Sequence, residues 1–130
     1  MLPDKLKELS ELRLSVAREC LETAKSNFDN GFIKAAANRA YYSIFHAMRA
    51  VLALDEFDSK KHSGVISEFR KEYIKTNKFD VKFSLVITEL FKSRSDCDYD
   101  DFFEVSRVDV QRQISSAEEF LKATEDFLNK

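Results

Sequence analysis

Arg39, Tyr42, Ser43, His46 and Arg49 recur at steps of three or four residues within an alanine-rich stretch. On an α-helix that spacing puts all five on one face. Arg39 and His46 are seven positions apart, close to two full turns, so they are nearly eclipsed and about 10 Å apart along the axis. A guanidinium there can hold the non-bridging oxygens of a phosphodiester in a fork. An imidazole titrating near neutrality can move a proton. Without function, the same residues read as the one wetted stripe of a bundle helix.

A second group lies elsewhere: His62, and the run Arg94-Ser-Asp-Cys-Asp-Tyr99, in which Arg94, Asp98 and Tyr99 carry the chemistry. Asp96, Asp98, Asp100 and Asp101 invite a divalent cation, but the spacing lacks the glycine and terminal glutamate of a calcium loop. The bland alternative is a solvated acidic loop pairing with Arg94 and Arg107. Cys20 and Cys97 stand far apart and outside any CxxC spacing, so the sequence signals neither a zinc site nor a disulfide scaffold. It contains no phosphate-binding glycine loop, nucleophile elbow, HExxH or dinucleotide fingerprint. We therefore expect no metal and no cofactor.

The elements that must position these residues are helices. The 130 residues suffice for one domain, read as 1–130, and include 2 Gly, 1 Pro and 12 Phe. So few turn-formers exclude a many-stranded sandwich or barrel. Leu6, Leu9, Leu12, Val16, Cys20, Ala24 and Phe28 predict a helix over about 4–29, started by Pro3 and Asp4 and stopped at Gly31. Residues 32–54, apolar on most of their circumference, predict a central helix. Ser59 is expected to cap a third helix over about 60–76, with Val65, Ile66, Phe69 and Tyr73 inward. Asp80 is expected to cap a fourth over about 81–94, with Phe83, Leu85, Val86, Leu90 and Phe91 as its apolar set. Residues 94–104 read as an acidic loop or irregular helix start. Ser106-Arg-Val-Asp109 is a capping box, and Val110, Ile114, Ala117, Leu121, Thr124 and Leu128 follow as a heptad seam. The expected fold is all-α, an up-and-down bundle of four to five helices.

Charge is distributed unevenly. The net of -2 advertises no global basic field. Residues 31–54 nevertheless carry Lys34, Arg39 and Arg49 with no acid, whereas 94–130 hold five bases against ten acids. A local anionic ligand fits this better than a DNA duplex, whose binding is not expected. No run approaches the roughly 20 apolar residues of a membrane span, and the N-terminus lacks a signal-peptide core. The expected setting is the cytoplasm, away from membranes.

Four segments in order complete the reading: Ala24-Lys-Ser-Asn-Phe-Asp-Asn-Gly31, Ala35-Ala-Ala-Asn-Arg-Ala-Tyr-Tyr-Ser-Ile-Phe-His-Ala47, Lys61-His-Ser-Gly-Val-Ile66 with Phe69, and Arg94-Ser-Asp-Cys-Asp-Tyr-Asp100. Together they resemble the HEPN family over about residues 12–125. The likeness is strongest to its small stand-alone prokaryotic branch, often encoded beside a minimal nucleotidyltransferase. The resemblance implies a helical bundle, commonly a homodimer. Many members are metal-independent RNases, several of them toxins, and others bind nucleotides without cleaving. Active members use an Arg, four to six residues, then a His, an interval that Arg39 and His46 match. In the best-known toxin branch that motif lies near the start of the last helix, and a following Tyr is modified with adenylate by the partner enzyme. The corresponding stretch here is Arg94 to Tyr99, with Tyr99 where the His would stand. Either the active pair sits on the second helix, or the chain keeps a nucleotide-binding or nucleotidyltransferase-partner role. On the first alternative Arg39 and His46 are catalytic, and Arg94 and Asp98 order the site. On the second, His62, Arg94 and Tyr99 contact a nucleotide or the partner. Tyr42, Arg49, His62, Arg94, Asp98 and Tyr99 together are the expected RNA- or nucleotide-binding residues. One His and one Arg per chain supply too little acid–base machinery, so catalysis predicts two copies meeting through the polar face of the second helix.

Overall fold

A computed structural model describes residues 4–130, which form α1 (Asp4–Asp29), α2 (Ile33–Ala53), α3 (His62–Phe69), α4 (Lys82–Tyr99) and α5 (Arg107–Leu128). A single π-turn, Arg70–Ile74, continues α3. The molecule is the all-α bundle that composition and periodicity predict. Pro3, read as the helix start, lies outside the described residues. Gly31 closes α1 at φ +84°, the left-handed region that glycine enters without a side-chain clash.

The centre is α2, packed against α1, α3, α4 and α5. Ala36, Ala37, Ala40, Ala47 and Ala50 are fully buried. Side chains that small let neighbouring backbones approach closely, and strong helix formers keep the element intact where it is enclosed. Tyr41, Ile44, Met48 and Val51 fill the larger gaps. A second cluster of rings, Phe69, Phe79, Phe83 and Phe120, packs edge-to-face beneath α5.

Four local expectations need correction. In α1 the buried line is Ser10, Leu14, Ala17, Cys20, Leu21 and Ala24, so Cys20 and Ala24 face inward as expected, while Leu9, Leu12 and Val16 are exposed. The small residues face the alanines of α2, and Ser10 Oγ donates to the Ala50 carbonyl at 2.7 Å. Close approach, not hydropathy, chose the face. In α4, Leu85 is exposed and Ile87 is buried instead. The third helix starts at His62, and Ser59 Oγ accepts from Lys61 N just before it. Asp80 does the same for Lys82 N ahead of α4. Finally, α4 runs on to Tyr99, so the first half of the acidic segment is helical. Pairs one turn apart, Lys92–Asp96 at 2.8 Å and Arg94–Asp98 at 3.7 Å, support that extension. The Ser106 cap is present, its Oγ accepting from Asp109 N at 2.9 Å.

Among the described residues, no helix is long and apolar enough to cross a membrane. Cys20 and Cys97 are free thiols, and among the described residues no three His, Cys, Asp or Glu side chains are grouped so as to hold a metal ion.

Candidate functional site

The two groups of residues that the sequence separates meet where α2, the start of α3 and the second half of α4 pack. Arg94 is the joint. It is 7% exposed, and its guanidinium lies 4.9 Å from the Tyr41 ring, 5.6 Å from Tyr42 and 5.5 Å from Phe91. Stacking of this kind suits the flat, weakly hydrated Arg head. Its Nη2 donates to His62 Nδ1 at 3.3 Å, and its Nη1 pairs with Asp98. Asn38 Nδ2 donates to the same carboxylate at 3.2 Å. The Arg94 Nε is buried without a partner.

His62 is held on three sides. Its ring stacks on Phe45 at 4.2 Å and on Tyr41 at 5.7 Å, and Tyr41 Oη lies 2.9 Å from Nδ1. An arginine can only donate, so Nδ1 must accept. His62 is therefore the neutral tautomer with its proton on Nε2. Burial, then the charges of Arg94 and Arg49, lower its pKa. Burial pushes the Tyr41 hydroxyl up to about 12, which keeps it a donor.

Along α2 the polar stripe is half-buried. Arg39 stacks over Tyr42 at 5.0 Å, donates from Nε and Nη2 to Asn38 Oδ1, and lies near buried Cys20. Tyr42 packs on both His46 and His62. Ser43 leaves the stripe: it is fully buried and donates to the Ala40 carbonyl at 2.6 Å. Arg49 Nη1 sits 3.4 Å from His46 Nδ1, and its Nη2 reaches Asp58 at 3.5 Å. Arg13, arriving from α1, donates to the Arg49 carbonyl and pairs with Asp58 at 3.2 Å.

The electrostatic result is strong. Burial, followed by Arg49, Arg39, Arg13 and His62, lowers the His46 pKa to about 4. His46 is neutral at pH 7 in a ring of fixed positive charge, and Asp58 is the carboxylate that faces Arg13 and Arg49. Such a ring favours an incoming anion, and it leaves an uncharged imidazole beside it.

Six of the eight site residues expected from sequence, Arg39, Tyr42, His46, Arg49, His62 and Arg94, thus lie in one connected cluster, with Asp98 attached through Arg94. Tyr99 does not join it; it is 80% exposed at the end of α4. Sequence reasoning missed Tyr41, Asn38, Phe45, Phe91, Arg13 and Asp58. Tyr41 stands beside Tyr42 in the Arg-Ala-Tyr-Tyr run that suggested the family, which is a usable signal. Nothing in the local sequence of Arg13 or Asp58 signals a role.

Comparison with known proteins places the whole chain. The family model described as the HEPN domain matches residues 10–127, which include every residue of the cluster. A Methanocaldococcus jannaschii protein named "Putative toxin MJ0142" is 34% identical over 94% of this chain and 82% of its own length. A Thermotoga maritima protein named "UPF0332 protein" is 35% identical over 86% of this chain and 85% of its own. A second M. jannaschii protein with a toxin name of the same form is 31% identical over 76% and 74%. With the four sequence segments, the helical bundle and a family match spanning nearly the whole chain in agreement, this protein belongs to the HEPN domain family.

Proposed function

We propose that the chain is a toxin-like, metal-independent endoribonuclease that works as a homodimer, with His46 as proton acceptor and Arg39 and Arg49 as phosphate clamps. The observation that carries this reading is the placement of His46 between Arg39 and Arg49 along α2, with Arg49 Nη1 3.4 Å from its Nδ1. The toxin names of two relatives accord with it.

The steps follow from the hydrogen bonds. In the free protein the Nδ1 lone pair of His46 faces Arg49. A phosphodiester entering the ring competes for that guanidinium, since charge-assisted pairing to phosphate is the stronger bond. As Arg49 turns to the anion, Nδ1 becomes free to take the 2′-hydroxyl proton. The 2′-oxygen attacks phosphorus, the bond to the 5′-oxygen breaks, and a 2′,3′-cyclic phosphate forms. Arg39, Arg49 and the Nε2–H of His62 balance the charge that builds on the non-bridging oxygens. The 5′-oxygen takes its proton from the imidazole of a second copy, charged once the phosphodiester offsets the arginines. DNA, lacking the 2′-hydroxyl, is not cleaved. The cytoplasm, where RNA substrates are found, is the setting this activity requires.

A second reading rests on Tyr99, whose exposed ring stands clear of the cluster. By resemblance it is open to modification by a nucleotidyltransferase partner, and the chain is then the regulated half of a toxin–antitoxin pair or a non-catalytic nucleotide binder. Incubation of single-stranded RNA with purified protein in excess chelator separates the two. Cleavage that His46→Ala and Arg39→Gln reduce by at least ~100-fold supports the first. No cleavage, together with nucleotide binding by calorimetry or an added adenylate mass on Tyr99 after co-expression with the partner, supports the second.

A further inference from the structure

A groove of about 690 Å³ runs between α3 with its π-turn and α4, outside the cluster just described. Its floor is apolar: Ile66, Ile87 and the ring of Phe91. Its walls carry Arg70, Lys71, Lys75 and Lys92 and no acid. Arg70 is a structural brace, donating to Ser84 Oγ and to the Ser84 carbonyl and Thr88 Oγ1. Lys71 and Lys92 make only exposed pairs, with Glu72 at 3.7 Å and Asp96 at 2.8 Å. Such pairs are weak and exchange readily for phosphate. Lys71 lies in the π-turn and Lys75 immediately follows it, and both line the groove.

The groove adjoins the cluster at Phe91. Phe91 belongs to both: it lines the floor, meets Tyr41 edge-to-face at 5.7 Å and lies 5.5 Å from the Arg94 guanidinium. Ser63 and Ser95, the neighbours of His62 and Arg94 in the chain, line its near end. An occupant must have flat or apolar groups for the floor and repeated negative charge for the walls. If it extends from the cluster, it must also be the polymer whose phosphate the cluster holds.

We propose that this groove is the track for the single-stranded RNA flanking the cleaved bond, with a base on the Ile66–Ile87–Phe91 floor and phosphates on Lys71, Lys75 and Lys92. It rests on the ribonuclease reading. Base stacking and lysine–phosphate contacts of this type are sequence-tolerant and salt-sensitive. An acidic protein segment also meets the charge requirement, but it would leave the shared ring of Phe91, beside the proposed phosphate clamp, without a role.

The test uses a fluorescent 2′-O-methyl RNA octamer, which has no free 2′-hydroxyl to react, titrated by anisotropy at several salt concentrations. The wild-type protein is compared with Lys71→Glu/Lys75→Glu, with the arginine pair Lys71→Arg/Lys75→Arg, and with Lys5→Glu/Lys7→Glu on the far helix. All these side chains are exposed, and circular dichroism checks the fold. The glutamate pair should bind about tenfold or more weakly and lower the slope of log K against log salt by roughly 1.4, two contacts' worth. The arginine pair and the α1 control should match the wild type, and cleavage of an RNA dinucleotide, which reaches only the cluster, should be unchanged. Octamer affinity and slope unaffected by the glutamate pair, with the dinucleotide still cleaved, overturn the track and leave the ribonuclease reading standing. The same indifference accompanied by loss of a co-purifying acidic protein assigns the groove to that protein and equally overturns it. A wild-type protein that neither binds the octamer nor cleaves the dinucleotide defeats both.

Discussion

His46 owes its chemistry to position. An exposed imidazole would be half-charged near pH 6.5; here burial and three arginines hold it near 4. The chain has two histidines, so a ¹H–¹⁵N spectrum resolves each. His46 should titrate near 4, His62 below the ordinary value, and both should show the Nε2–H tautomer between pH 6 and 8. Arg49→Gln should move the His46 midpoint upward, since Arg49 is the first of its charged neighbours to disfavour the imidazolium. Stability carries the same signature. The unfolded chain binds a proton at His46 that the folded chain refuses between about 6.5 and 4, so stability falls as pH drops through that window. Allowing for partial solvent screening, His46 contributes on the order of 1–2 kcal/mol to that loss. His46→Gln should reduce the loss of unfolding free energy across that window by that amount, read by denaturant titration at each pH, and an unchanged profile would refute the burial of charge argued for this site. Arg94 makes a complementary case. Arg94→Ala should cost about 2–4 kcal/mol in denaturant unfolding, because Asp98 and three aromatic faces lose their partner. Arg94→Lys should recover little, since an ammonium neither stacks nor forks as a guanidinium does.

At the scale of elements, the breaks were legible and the faces were less so. α2 has no side-chain cap, but the end of α1 follows from Gly31 and the start of α5 from the Ser106 cap, signals that act locally and so survive in a sequence. Ser106→Ala should cost about 1 kcal/mol for that reason. Which side of α1 is buried depends on what α2 offers. The alanines of α2 select Ser10 and Ala17 over the larger Leu12 and Val16, and that choice is invisible from α1 alone. Gly64 is a similar case. Its presence looks like a weak point in α3, but a Cβ there would collide with Ser59 Oγ and press on Ser59 Cβ. Gly64→Ala should therefore lower stability by about 1–2 kcal/mol, and Ser59→Gly should relieve most of that loss, a coupling readable in a double-mutant cycle. The extension of α4 to Tyr99 escaped the pattern because an aspartate-rich run reads as loop. The helix is sustained by its i,i+4 pairs and by the packing of Arg94, a tertiary contact.

The whole molecule brings together what periodicity could only place on separate helices. Spacing put Arg39, Tyr42, His46 and Arg49 on one face of α2, and they do lie along it. It could not show that His62 and Arg94 close over Tyr41 and Tyr42, or that Arg13 comes from α1 to complete the positive ring. Those contacts join residues 20 to 53 positions apart. A net charge of -2 conceals this concentration entirely. Dimerisation belongs to the same scale: if a second copy donates the proton to the leaving oxygen, sedimentation at micromolar concentration should give a mass near twice 15.1 kDa, and a strictly monomeric, active enzyme would remove that step. The central claim is that His46 activates a 2′-hydroxyl. Mass spectrometry of the ends left on single-stranded RNA cut in excess chelator tests it most directly. The mechanism predicts 2′,3′-cyclic phosphate and 5′-hydroxyl ends that vanish with His46→Ala; 3′-hydroxyl and 5′-phosphate ends, or the same cyclic ends from the His46→Ala protein, would contradict it.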